Sequence, residues 1–180
     1  MWDQVVEAIR SEFVDLGDAA GATRVVFRLL MAALLGGVLG YERESKGKSA
    51  GLRTHMLVAV GAALFLLVPQ QMGASDADLS RVIQGLVAGI GFLGAGAIVK
   101  GKPGDEIEGL TTAASIWMTA AIGMAAGLGR EATAILSAFL ALAVLTVLYH
   151  AVGWLHGHEK PPHSNSSSSP DETAEKKKTD

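Results

Sequence analysis

Five apolar runs, residues 25–41, 55–71, 82–99, 110–128 and 131–149, alternate with short segments that hold nearly all the charge of the chain. A helix of such a length reaches roughly 25–29 Å at 1.5 Å per residue, the thickness of bilayer hydrocarbon. The pattern predicts an all-α membrane protein, a bundle of five transmembrane helices over residues 25–150. Upstream, Trp2, Val5, Val6, Ile9, Phe13 and Leu16 recur at three- and four-residue steps, the signature of an amphipathic helix within residues 1–24. This segment has neither the basic start nor the apolar core of a cleavable signal peptide. Its acids, Asp3, Glu7, Glu12, Asp15 and Asp18, favour docking on protein over binding to anionic lipid. Residues 151–180, rich in Ser, Pro, Lys and Glu from Gly157 onward, cannot bury enough apolar surface to fold and read as a disordered cytoplasmic tail.

The third run is the most unusual, because its 18 residues carry no charge and include Gly85, Gly89, Gly91, Gly94 and Gly96. Each glycine costs a water-exposed helix roughly 1 kcal/mol relative to alanine. In a bilayer the backbone is held in hydrogen bonds and glycine becomes a surface for close helix contact. The run therefore predicts a central helix against which its neighbours close. Arg28, Ala32, Gly36 and Gly40 form a second small-residue stripe, and Thr112, Ser115, Thr119, Gly123 and Ala126 a third, with Gly123 and Gly127 repeating the four-residue step. The fifth run is apolar nearly all round, which suits a lipid-facing edge or a subunit contact.

Basic residues set the expected orientation. Arg43, Lys46, Lys48 and Arg53 in the first loop, Lys100 and Lys102 in the third, and Lys160 and Lys176 to Lys178 in the tail outnumber Arg10, Arg24, Arg81 and Arg130 on the other side. The positive-inside rule then predicts a periplasmic N-terminus and a cytoplasmic C-terminus. A net charge of −3 spread over loops and termini leaves no basic patch for nucleic acid, and the absence of cysteine excludes disulfides, Fe–S clusters and thiolate zinc sites.

Chemistry is sparse. Residues 89–94 match the dinucleotide pattern GxGxxG but lack the preceding strand, and the acids that follow at 105, 106 and 108 lie in the next loop, so nucleotide binding is not supported and no cofactor is expected. No Ser/His/Asp set or HExxH motif appears, which argues against an enzyme. Asp76 and Asp78 form either a solvated turn or two carboxylates holding a hydrated Mg²⁺. His156, His158 and His163 offer a weak metal set, so metal ligation is left undetermined. Arg28, whose charge would cost at least about 2.5 kcal/mol at the membrane centre, either snorkels outward or pairs inside the bundle. The densest polar cluster is Glu42, Arg43, Glu44, Lys46 and Lys48, followed by Gly51 to His55. It is either a positive-inside anchor or a buried network of Glu42, Arg43, Arg53 and His55.

Taken together, residues 40–44 (GYERE), 50–55 (AGLRTH), 89–96 (GIGFLGAG) and 109–117 (GLTTAASIW) resemble the MgtC/SapB family of bacterial inner-membrane proteins over about residues 25–130. The resemblance implies a role in adaptation to low Mg²⁺ and, in pathogens, survival in macrophages. It also implies a regulator more than a pump, with F-type ATP synthase or a Mg²⁺-transporting P-type ATPase as partner, beside the lipid bilayer and further copies of the chain. An oligomeric Mg²⁺ or small-solute transporter is the alternative. Well-known members carry a cytoplasmic ACT-like C-terminal domain where this chain has its polar tail. Carried over by motif, with Arg28 added from the chain's own pattern, the candidates for one functional polar network are Arg28, Glu42, Arg43, Arg53, Thr54, His55, Arg81, Gln84, Thr111, Thr112 and Trp117.

Overall fold

A computed structural model describes residues 1–11, 19–100 and 107–156, with residues 99–100 and 148–156 given by backbone alone. Helix α1 (Trp2–Ser11) is followed by α2 (Ala19–Ser45), α3 (Leu52–Gln71), α4 (Asp76–Gly96), strands β1 (Val99–Lys100) and β2 (Ile107–Glu108), α5 (Leu110–Gly127) and α6 (Glu131–His156). The five long helices fall on the five apolar runs. The first starts at Ala19 rather than at 25, and α6 continues to His156, past the expected start of the tail. Residues 157–180, with His158 and His163, lie outside the described residues, as do Phe13 and Leu16 of the amphipathic pattern. Helix α1 is exposed throughout.

Helices α2 to α5 are each long and apolar enough to cross a membrane. Large side chains such as Leu34, Phe65, Phe92, Leu136 and Phe139 stand exposed on the outside of the bundle, as expected where the surrounding solvent is lipid. Short connections make successive spans antiparallel, so α2, α4 and α6 run one way and α3 and α5 the other. One addition to the predicted all-α fold is the antiparallel pairing of Val99 with Glu108 and Lys100 with Ile107 between α4 and α5.

The packing centre is α3, held between α2 and α5. A Cβ at Gly36 would lie 2.7 Å from the His55 carbonyl and 2.8 Å from the Ala59 Cβ, and one at Gly40 would lie 2.7 Å from the Leu52 Cα. On the other side Gly123 sits against the Ala59 backbone, and a Cβ at Gly127 would lie 2.5 Å from the Ala63 carbonyl. Ala59 and Ala63 are fully buried, so glycine on both neighbours lets three backbones approach around an alanine ridge. Leu39, Leu66 and Ile122 fill the remaining space. Along α6, Ala134, Ala138 and Ala141 turn inward while Leu136, Phe139 and Leu140 face out, so this helix is an edge with one small-residue face.

The glycine-rich third span is not central. In α4 only Leu79 and Gly94 are buried. A Cβ at Gly94 would meet only Ala113, at 3.6 Å, and those at Gly85, Gly89, Gly91 and Gly96 would meet nothing within 4 Å. Close approach needs small residues on both partners at matching steps. The α3 alanines and the glycines of α2 and α5 meet that condition, whereas glycines on one helix alone do not.

Overpacking predicts opposite outcomes for the two glycine sets. Gly36→Leu and Gly123→Leu should each destabilise the detergent-solubilised chain by about 3 kcal/mol or more, while Gly85→Leu and Gly89→Leu should leave its thermal melting, followed by circular dichroism, within about 1 kcal/mol of the parent.

Candidate functional site

The candidate residues separate into two ends of the bundle. Fourteen positions part Arg28 from Glu42 on α2, roughly 21 Å along a helix.

At the first end Arg28 Nη1 donates to Gln70 Oε1 (2.7 Å) and to the Gly127 carbonyl (3.0 Å), and its Nε lies 3.9 Å from Glu131 Oε1. One guanidinium thereby joins the ends of α3 and α5 to the start of α6. The Gly127 carbonyl is an orphan acceptor at the negative pole of α5, where a cation is favoured. Gly129, at φ +72°, gives the guanidinium room to lie against the turn. Of the two readings of Arg28, the paired one describes its geometry, but its partners are Gln70, Gly127 and Glu131 and not the Glu42 cluster. Arg81 is also at this end, on exposed α4, paired with Asp78 at 2.8 Å, and Gln84 is exposed one turn further. Asp78 is engaged in capping: its Oδ2 accepts from the Ser75 backbone N–H at 3.2 Å and Ser75 Oγ accepts from the Asp78 N–H at 3.3 Å.

The second end holds the buried polar cluster. Glu42 (8% exposed) and Arg43 (2%) close the last turns of α2. Arg43 Nε donates to Glu42 Oε2 at 2.6 Å, Arg43 Nη2 to Oε1 at 3.2 Å, and Lys46 Nζ to Oε1 at 2.8 Å. Lys46 also donates to the Leu145 carbonyl at 3.3 Å, tying the cluster to α6. Two cations on one carboxylate leave the group net positive. The neighbouring Glu44 Oε2 accepts from the Leu52 N–H at 2.8 Å, so a carboxylate from α2 caps the positive end of α3. Gly51 makes this cap spatially feasible, since a Cβ there would lie 2.5 Å from that oxygen.

His55, fully buried, crosses from α3 to α5. Its Nδ1 is 2.9 Å from the Gly51 carbonyl, which can only accept, so Nδ1 carries a proton. Its Nε2 is 3.1 Å from Ser115 Oγ, and Ser115 Oγ is 2.8 Å from the Thr112 carbonyl. A neutral ring accepts from the Ser115 hydroxyl, whereas an imidazolium donates to Ser115, whose own proton then turns to Thr112. Helical side chains lean toward the N-terminus. That lean lets His55 reach Ser115, although the Ala59–Gly123 and Ala63–Gly127 contacts place its Cα in register with residue 119. Thr119 Oγ1 is buried with no hydrogen-bond partner among the described residues.

Thus Glu42, Arg43, His55 and Thr112 gather at one end as buried groups. Arg53 and Thr111 are exposed, Thr54 is half-buried and Trp117 is half-exposed on α5. The eleven candidates do not converge as one network around α4; its exposed outer half holds Arg81 and Gln84 away from the cluster. Lys46, Ser115, Gln70 and Glu131 complete the two ends and were not among the candidates. Lys46 stands four residues after Glu42 and Ser115 three after Thr112, the helical spacings of facing pairs, and Gln70 and Glu131 carry no such signal toward Arg28. Beside the cluster, a cavity of about 560 Å³ opens between the α2–α3 loop, β2 and the start of α5. Among the described residues no three His, Asp or Glu side chains are grouped to hold a metal ion.

Fold and site define a small multi-pass helical membrane protein with a buried ionic cluster at one end of its bundle. The chain belongs to the MgtC family, which residues 29–154 match. It is 42% identical over 145 residues to Protein SrpB of Synechococcus elongatus, covering 74% of this chain and 78% of that one. It is 43% identical over 132 residues to YhiD of Escherichia coli K12, provisionally named a magnesium transporter, covering 69% of this chain and 60% of that one. Against Protein MgtC of Salmonella typhimurium it is 41% identical over 126 residues, 70% of this chain and 53% of that one. The chain thus spans little more than half the length of the last two relatives. No solved structure matches it.

Breaking the buried ion cluster leaves a cation without its partner. Glu42→Gln should cost about 3–5 kcal/mol of stability, and adding Arg43→Met to it should recover part of that loss; thermal melts of the two variants in detergent check both signs.

Proposed function

We propose that this protein is a non-enzymatic regulator in the bacterial inner membrane. It acts on Mg²⁺ homeostasis or membrane energetics by binding other membrane proteins, and it assembles with further copies of itself. F-type ATP synthase and a Mg²⁺-transporting P-type ATPase are the partners the family relationship favours. The observation that carries the reading is Glu42, the one buried carboxylate among the described residues, with both oxygens engaged by Arg43 and Lys46. A site that carries Mg²⁺ needs oxygen ligands free to replace hydration water; a carboxylate saturated by two cations is instead a clamp. The second reading, an oligomeric Mg²⁺ or small-solute transporter, draws on the name of YhiD.

Deleting the gene should slow growth in low-Mg²⁺ medium, with recovery on complementation, while proteoliposomes of the purified chain should pass Mg²⁺ no faster than empty liposomes. Mg²⁺ flux lost in Glu42→Gln would replace the regulator with the transporter.

Orientation follows from the same proposal, with the Glu42 end cytoplasmic. Because the chain has no cysteine, single reporters can be introduced. Ala74→Cys, in the α3–α4 turn, should react with an impermeant maleimide in cells with an opened outer membrane, and Ser49→Cys, in the α2–α3 loop, only after lysis.

A further inference from the structure

The cavity at the Glu42 end lies against the start of α5. This 18-residue helix has Gly109 as its N-cap, in the left-handed region at φ +90°, with no side-chain cap and no acid in its first turn. The geometry requires glycine, because a Cβ would collide with the Ala97 carbonyl. The first N–H to find a helical acceptor is that of Ala113, bonded to the Gly109 carbonyl at 2.8 Å. The N–H groups of Leu110, Thr111 and Thr112 therefore stand at a positive helix pole without the capping oxygen that such a pole normally has. Elsewhere Glu44 supplies such an oxygen to α3 and Ser75 one to α4.

An independent feature is Thr112. It lines the cavity and is only 3% exposed, yet its hydroxyl has no hydrogen-bond partner among the described residues. Thr119 Oγ1 is the fully buried hydroxyl without a partner among the described residues, so the Thr112 hydroxyl is one that the cavity reaches. Across the cavity are Ser49 and Lys48, the latter without a carboxylate partner among the described residues. Glu108 also lines the cavity. Its carboxylate opposes an anion in the cavity, so the N–H groups of α5 and Lys48 must outweigh it.

We propose that this cavity binds a phosphate group, held by the N-terminal N–H groups of α5, the Thr112 hydroxyl and Lys48. The group belongs to a lipid headgroup or to free phosphate, both of which are present at a membrane surface.

Calorimetry on the full chain in neutral detergent tests the site with inorganic phosphate in one arm and short-chain phosphatidic acid in the other, chloride serving as blank. Saturable binding in either arm should weaken about tenfold in Thr112→Val and in Lys48→Gln, the loss expected for one charge-assisted hydrogen bond. Thr112→Ser should restore it, and Arg10→Gln on α1 should leave it unchanged. Binding in the phosphatidic acid arm alone assigns the lipid as source, and binding in the phosphate arm alone assigns the free anion. Absence of saturable binding in both arms, or binding equal to the parent in both Thr112→Val and Lys48→Gln, overturns the site. Retained melting temperature in Lys48→Gln, an exposed substitution, separates lost binding from lost folding.

Discussion

The two-sided contact on α3 is the constraint from which the rest of the structure follows. Ala59 has glycine opposite it on both α2 (Gly36) and α5 (Gly123), and Ala63 has Gly127 of α5. Lipid tails are as apolar as leucine, so burying apolar surface from water does not hold membrane helices together; dispersion and backbone proximity must. A bulkier residue at any of these positions would separate the backbones and remove those contacts along several turns. The same register brings His55 within reach of Ser115 and places Gly40 against the loop that carries Gly51. Polar cross-links at the Glu42 end therefore depend on alanine and glycine one to two turns deeper.

Charges act where helices end. Arg28 satisfies a carbonyl at the end of α5, Glu44 an amide at the start of α3, and Ser75 with Asp78 the start of α4. At a helix terminus the backbone supplies part of the compensation that a charge loses on leaving water, which makes these sites cheaper than mid-span ones. Glu42 and Arg43 are more deeply buried and compensate each other, with Lys46 supplying a third charge. The bare start of α5 departs from this pattern at the place where the cavity opens.

The number of spans, their approximate limits and the MgtC family membership were legible in the chain, because hydropathy over a bilayer's thickness is a strong signal and motifs in order are specific. Which helix lies at the centre was not. Gly85 to Gly96 form the densest glycine run, but density on one helix does not disclose whether a small-residue face exists opposite it. Gly36, Gly40, Gly123 and Gly127 are fewer, yet they meet Ala59, Ala63 and the start of α3. The candidate site was partly legible for a related reason. Glu42, Arg43, His55 and Thr112 lie near the loop-bearing end, so proximity to a span boundary located them. The partners of Arg28 depend on which termini pack side by side, a tertiary fact that no single-helix periodicity contains.

The separation of the polar ends restricts how the molecule can respond to a partner. Residues this far apart share no contact, and perturbations at such distances usually add rather than couple. Arg28 and Glu42 nevertheless lie on the same helix, and each ties α2 to α6, through Glu131 at one end and through Lys46 and Leu145 at the other. Rotation or sliding of α6 would strain both ties at once, whereas a movement of α4 would strain neither, because α4 is joined to the core mainly at Gly94 and Leu79. A partner engaging the exposed face of α4 would thus leave the ionic cluster intact. One engaging α6 would reach it directly, which makes α6 the helix through which binding at the membrane edge is best placed to alter the Glu42 end.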